Sequence, residues 1–310
     1  MGHSTFTVVV CSKDRRESLS RCLGSLATAF GDIEDKRWDV LVVDNASSDG
    51  TSDHVRSLIE TYPVPLSVIR EETLGLAIAR NTGLREAQGD VAIFVDDDVT
   101  FFEGWNSAWT DCFDDESVAA AGGPVVPVFP DAVPSWYREG LMADGGTTTG
   151  NYHHGDEVLT FEPGGAVGHP RGGNMAMRRV RALETGGFRE DLGWGKKKIP
   201  GEETEFFKRL HAENGRILYL PLACVNHHLD EERMNFTHLR AWHEGYGRAS
   251  IIMKPPMGPL RWTLKFVDQA FTFSYFSLRL ALPGGSRNFR AHRKQRQAVG
   301  RLTQMMGIGV

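Results

Sequence analysis

From Phe6 to Ala121, short and nearly continuous apolar runs alternate with segments whose apolar residues recur at helical spacing. The runs VVV, VLVV and VAIFV leave no polar positions for a wetted face, so they predict strands buried on both sides. Strands are expected over residues 6–11, 38–44, 66–70, 91–95 and 118–121, and helices over 17–30, 51–62 and 76–88. This alternation predicts an α/β domain with a mainly parallel sheet flanked by helices on both faces. Open sheets of that kind take ligands beyond the carboxyl ends of their strands. The rule singles out Ser12, Asp44 with Asn45, and the run Asp96, Asp97, Asp98.

Regularity lapses over residues 124–173, which are rich in Gly and Pro and carry a polar insert around 145–155; so long a loop is usually functional or mobile. It returns with strand-like segments at 174–178, 217–219 and 223–225 and a helix at 202–214, and from Met234 onward the chain reads as helical and increasingly basic. The 310 residues, 41% hydrophobic and 24% charged, have the composition of a globular protein, and a net charge of −5 gives no reason to expect nucleic acid as a partner. Four scattered cysteines (Cys11, Cys22, Cys112 and Cys224) show no metal-ligand spacing and read as reduced, packed thiols of a cytoplasmic protein. No secretory leader pattern is visible at the N-terminus, and the most apolar stretch, residues 260–282, is interrupted by Arg261, Lys265, Asp268 and Arg279, so it is not expected to cross a bilayer.

Three adjacent aspartates repel one another unless a cation or a solvated turn relieves them. A hard, oxygen-liganded ion such as Mg2+ or Mn2+, shared with substrate phosphates, is one answer, and an acidic helix N-cap is the other. The segment Asp44-Asn45-Ala46-Ser47-Ser48-Asp49-Gly50-Thr51 also follows a buried strand; residues 47–51 have helix-capping chemistry, whereas Asp44 stands at the strand end itself. Arg80 and Asn81 lie on a helix bracketed by Gly75 and Gly83.

Taken in order, VVVCSKDRRESLSRCLGSL, VLVVDNASSDGT, GLAIARNTGL, FVDDDV, RGGNMAMRR, GGF and GEETEF resemble the family 2 glycosyltransferases of GT-A fold, over residues 6–250 or so. The resemblance implies a Rossmann-like GT-A domain over residues 1–233, with a nucleotide-binding half to about 123 and an acceptor half beyond it, followed by a helical C-terminal extension over 234–310. It also implies an inverting transferase using a nucleoside-diphosphate sugar, most commonly UDP-linked, with a Mn2+ or Mg2+ cofactor. Ser12, Asp44, Arg80, Asp96 and Asp97 would face the nucleotide, with Asp96 near the ribose and Asp98 on the metal.

In that family a Glu-Asp pair falls at positions 202 and 203 and its second member is the usual base; here Glu203 replaces the aspartate and Glu202 is the rival, while a plain acidic helix start is the bland alternative. The family's Val-x-His pattern, Val225-Asn226-His227, points to His227 as a further metal or diphosphate ligand, with His228 behind it. Gly164, Gly165, Gly173 and Asn174 would bring backbone and an amide to the donor sugar; Trp194, between two glycines, would stack on a sugar or simply pack. Arg233 would pair with the diphosphate or with the acids at 230–232. Lys196, Lys197 and Lys198 read as a solvated loop that orders on donor binding. The acceptor would be a glycan or a lipid-linked saccharide.

Beyond Asp268 the chain has no acidic residue, and its Arg and Lys follow the aromatics Trp262, Phe266, Phe271, Phe273, Tyr275 and Phe276. That order suits peripheral contact with an anionic membrane at its inner face, and equally a helical appendage packed on the chain or on a second subunit of a homodimer. Three other functions fit parts of the pattern; a metal-dependent hydrolase would use the aspartates with His227 and His228 but leave Asp44 and Arg80 unexplained. A sugar-nucleotide pyrophosphorylase would need a Gly-rich loop after the first strand, which Cys11-Ser12-Lys13-Asp14-Arg15-Arg16 lacks. A non-catalytic sugar-nucleotide-binding protein would keep Asp44 and Asp98 without needing Glu203.

Overall fold

The computed structural model describes residues 4–31, 37–134, 137, 150–162, 167–195, 198–282 and 289–308. The chain forms two compact units: Met1–Val128 with Gly150–Glu190 and Glu202–His228, and Phe129–Thr149 with Asp191–Gly201 and Leu229–Val310.

In the first unit the buried runs form β1 (Phe6–Ser12), β2 (Trp38–Asp44), β3 (Leu66–Arg70) and β4 (Val91–Asp96), paired in parallel in the order β3-β2-β1-β4. Between them lie α1 (Arg16–Phe30), α2 (Thr51–Leu58) and α3 (Leu76–Glu86). The helix expected over 51–62 ends at Leu58 and tightens into a 3-10 turn, Ile59–Thr61, just before the Pro63 and Pro65 that bar a longer helix. Side chains alternate across the sheet: Val8, Val10, Val40, Val42, Ile93 and Val95 pack with residues of α1 and α2, while Val9, Leu41, Val43, Ala92 and Phe94 pack with residues of α3. With each such side chain contributing about 1.5–3 kcal/mol on burial, this two-sided sheet is the main stabilising element.

After β4 come β5 (Val99–Phe101), α4 (Trp105–Phe113), β6 (Val118–Gly122), β7 (Val125–Val128) and the short β8 (Leu159–Thr160). Then follow β9 (Asn174–Arg178), α5 (Arg179–Glu184), α6 (Glu202–Ala212), β10 (Arg216–Tyr219) and β11 (Val225–His228). The main sheet continues beyond β4 as β9-β6-β10-β8, and β9 is antiparallel to both its neighbours. The sheet is therefore mixed on that side. The reversal delivers the segment before β9 to the carboxyl end of β4, with Asn174 opposite Val95. A second sheet, β5-β11-β7, sets β11 antiparallel to β5 and parallel to β7.

Asn174 connects the sheets. Fully buried, it accepts from Trp105 Nε1 at 3.1 Å and donates to the carbonyls of Pro124 at 3.2 Å and Ala223 at 2.6 Å, just ahead of β7 and β11.

The second unit contains α7 (Phe236–Ile252), α8 (Pro259–Ala281) and α9 (Phe289–Met305). Asn235 caps α7 by accepting from His238 N at 2.8 Å, and Pro259 starts α8 where a missing N–H does no harm. No described helix is long and apolar enough to cross a membrane.

Replacing Asn174 by Ala orphans a buried indole N–H and two carbonyls, so Asn174→Ala is expected to lower unfolding free energy by about 2–4 kcal/mol, read from urea denaturation; a change below about 0.5 kcal/mol would remove the bracing role.

Candidate active site

The strand order changes direction between β1 and β4, so their carboxyl ends open onto the crevice where such sheets receive ligands. Ser12 and Asp96 end these strands, and Asp97 and Asp98 form the turn that follows. That turn leads into β5, not a helix, which removes the N-cap explanation for the aspartates. Ser12 Oγ donates to Asp97 Oδ2 at 2.7 Å, and Arg15, immediately before α1, reaches Asp97 Oδ1 at 3.4 Å and Asp98 Oδ2 at 3.0 Å. Burial, together with the charges of Asp98 and Asp96, pushes the Asp97 carboxyl up to about 7 against the opposing pull of Arg15 and Ser12.

β5 also brings in His227. Because it pairs antiparallel with β11, Val99 lies opposite His227 and the carbonyl of Asp98 accepts from His228 N at 2.9 Å. His227 Nε2 then stands 3.3 Å from Asp98 Oδ1. The strand expected at 223–225 starts later, at Val225, and both histidines lie within it; its residues alternate between buried and half-buried, which turns His227 inward and puts His228 beside Thr100 Oγ1 at 2.9 Å.

A carboxylate oxygen and an imidazole nitrogen at this separation fit a divalent ion of the Mn2+ type. Among the described residues no cluster of three or more His, Cys, Asp or Glu encloses an ion. The pair fits an ion whose remaining ligands are phosphate oxygens and water.

On the other side of Asp96 sits Arg80, buried on α3. Its guanidinium contacts Glu202 Oε1 at 2.5 Å and Asp96 Oδ1 at 3.4 Å, and lies over the Phe188 ring. Burial alone would favour the neutral form, but Glu202 and then Asp96 hold Arg80 firmly charged. Glu202, at the start of α6, is buried and committed to this ion pair. Glu203 is half-buried; burial and the neighbouring Glu202 charge push its carboxyl up to about 7, against Arg80 and Arg171. The glycines before β9 leave the necessary room. A Cβ on Gly172 would collide with the Arg80 guanidinium, and one on Gly173 would stand 3.0 Å from Asp96 Oδ2.

Asp44 is fully buried. Its Oδ1 accepts from Ser47 N at 2.9 Å, and its Oδ2 accepts from the Ser52 hydroxyl and from Arg70 Nη1 at 3.2 Å. Burial would raise its pKa, yet these hydrogen bonds and Arg70 hold it below the usual value. Asp44 thus shapes the turn beyond β2, and Asp49 caps α2 by accepting from Thr51 N and Oγ1. Asn45 braces the next loop, donating to the carbonyls of Glu71 and Thr73 and accepting from Gly75 N.

Trp194 and Arg233 belong to the second unit. Trp194 packs against Trp242 and His238, with ring centroids 5.0 and 5.6 Å apart, and Arg233 pairs with Asp230 at 3.4 Å. Gly164, Gly165, Lys196 and Lys197 lie outside the described residues. Sequence reasoning overlooked Arg15 and Arg70, although both sit where strands end; Arg15 was passed over in a run of mixed charges, and Arg70 as the last residue of a strand.

Comparison with known proteins decides the family. The model of Glycosyl transferase family 2 matches residues 7–186. The chain belongs to that family. As a family 2 glycosyltransferase it is similar to the succinoglycan biosynthesis protein ExoM of Rhizobium meliloti (strain 1021), at 26% identity over 301 residues, 95% of this chain and 91% of the relative. It is also 26% identical to a pre-mycofactocin glycosyltransferase of Mycobacterium tuberculosis over 77% of this chain and 45% of the relative. Among solved structures it is similar to the mannosyltransferase PcManGT of Pyrobaculum calidifontis in complex with GDP-Man and Mn2+, with a TM-score of 0.62 at 17% identity, covering 99% of this chain and 88% of that one. Staphylococcus aureus TarS 1-349 in complex with UDP-GlcNAc gives a TM-score of 0.56 at 16% identity, covering 98% and 92%. The fold of this glycosyltransferase is GT-A, a mixed sheet with a helical C-terminal region.

The buried pair makes its own prediction. Glu202→Gln and Arg80→Met are each expected to cost about 3–5 kcal/mol, while the double variant costs less than their sum because neither charge is left uncompensated. Urea unfolding of all four proteins measures the coupling, and strict additivity would show the contact to be energetically idle.

Proposed function

We propose that this chain is an inverting, metal-dependent transferase that moves a sugar from a nucleoside-diphosphate donor to a hydroxyl of a glycan or lipid-linked saccharide. The observation carrying the reading is the approach of Asp98 and His227 to 3.3 Å at the sheet's switch point, with Glu203 next to the Glu202 that pairs with Arg80. The GDP-Man and Mn2+ bound in PcManGT and the UDP-GlcNAc bound in TarS support it by analogy of fold. A UDP-linked donor is the first to test, with GDP and dTDP donors beside it.

In this reading Asp98 and His227 would hold Mn2+ or Mg2+, which would supply positive charge opposite the departing diphosphate. Arg15 restrains Asp97 and Asp98, Ser12 fixes the Asp97 carboxylate, and Asp44 and Arg80 shape the nucleoside wall, with Asp96 near the ribose. Gly173 admits the donor sugar beside Asp96. Glu203 takes the proton of the acceptor hydroxyl as its oxygen bonds to the anomeric carbon from the side opposite the leaving group; the bond to the diphosphate breaks and the configuration inverts. The pairing of Glu202 with Arg80 supports Glu203, not Glu202, as the base.

Glu203→Gln is expected to lower kcat by about 10²–10⁴-fold while leaving donor binding within about twofold. A base with its pKa raised to about 7 in the free enzyme is protonated below that value, so kcat/KM falls roughly tenfold per pH unit as pH drops through it. A pH-rate profile that stays flat from pH 8 to about 5.5 would remove Glu203 from this role.

Binding to the native state raises the melting temperature by mass action. UDP with Mn2+ is expected to raise Tm in a thermal-shift screen that includes GDP and dTDP, and His227→Ala to remove the metal-dependent part. No shift with any nucleotide would overturn the assignment, and shifts without turnover of any nucleotide sugar would replace it by a binding role.

A further inference from the structure

The helix α8 is apolar on two faces. On one, Gln269 is buried and Phe266, Phe276 and Leu280 are half-buried. That face meets α9, where Gln295 Nε2 donates to Ser277 Oγ at 2.8 Å and Arg301 Nη1 to Gln269 Oε1 at 2.9 Å. On the other, Leu260, Leu264, Val267, Phe271, Tyr275 and Leu278 are between 49% and 74% exposed. Their spacings of three and four keep them within an arc of about 80° along about 27 Å of helix. An unbroken apolar row of this length marks a contact surface, because scattered single residues are the normal state of exposed apolar side chains.

The flank of the row carries two arginines with one acid, Asp268, between them. Arg261 precedes Leu264 by three residues and Arg279 follows Tyr275 by four, which makes each a neighbour of the row on the same side, and both are exposed. Lys265, one position further round, is paired with Asp268 at 3.3 Å. Tyr275, with an apolar body and a polar tip, suits the level of lipid headgroups. An antiparallel twofold contact between two copies on this row would set Arg261 of one copy against Arg279 of the other, whereas an anionic bilayer supplies phosphates to both and acyl chains to the apolar row.

We propose that α8 lies in the plane of an anionic lipid bilayer, its outer row entering the headgroup boundary with Arg261 and Arg279 on lipid phosphates. The surface is independent of the transfer chemistry, and binding is measured without turnover, so either can fail alone. The full chain is tested by flotation with vesicles of phosphatidylglycerol and phosphatidylcholine and with vesicles of phosphatidylcholine alone. It is expected to float with the anionic vesicles, and more weakly at high salt. Phe271→Glu with Leu278→Glu, and separately Arg261→Glu with Arg279→Glu, are each expected to reduce the bound fraction roughly tenfold at unchanged Tm. Failure of the unaltered chain to float with anionic vesicles, or equal flotation of either double variant, overturns the proposal. A dimer in sedimentation that Phe271→Glu dissolves, with no lipid binding, assigns the face to a second copy.

Discussion

A buried guanidinium with two carboxylates around it organises the first unit. Arg80 reaches it from α3, Asp96 from β4 and Glu202 from α6, three elements far apart in sequence and formed by different local patterns. A charge so deeply placed is tolerable only while its partners remain, and the buried Glu202 is equally committed to it. The requirement fixes the start of α6 against the end of β4 and imposes glycine at 172, where any side chain would displace the guanidinium. Burial, and then the neighbouring Glu202, raises the affinity of the Glu203 carboxyl for its proton.

The nucleotide-binding half was legible because its signals are local. Continuous apolar runs identified β1 to β4 to within a residue, and the strand-end rule then found Ser12, Asp44 and the aspartate turn without knowledge of strand order. What local patterns do not carry is pairing. β9 reads as an ordinary strand from NMAMR, and its antiparallel direction follows only from where the chain has already gone. The same holds for β5 and β11: three residues after a turn, and a strand spelled Val-Asn-His-His, have no hydrophobic periodicity to announce them.

Side-chain commitments were the least legible part. Asn174 looks like a ligand in the sequence, being polar and preceded by glycines, yet its amide joins Trp105 to the starts of two strands. Asp44 and Glu202 likewise stand at strand and helix ends but spend their oxygens within the protein. Arg15 shows the opposite error, an unremarked residue in a charged run that turns out to bridge two of the three aspartates. In each case the type and position of the residue were visible, and the number of hydrogen bonds already claimed by neighbours was not.

The first two residues of α6 have one further consequence. Successive side chains on a helix diverge by about 100°, so once Glu202 is seated on Arg80 the direction of Glu203 follows from helical geometry alone. The relative orientation of the acidic pair is thereby set within α6 itself. The residues just upstream are held as well, for Leu192 and Ile199 are buried with Ala249 and Gly193 pairs with Ile199. A single residue added inside the first turn of α6 therefore rotates one carboxylate out of its place, with packed chain on the upstream side to resist the shift.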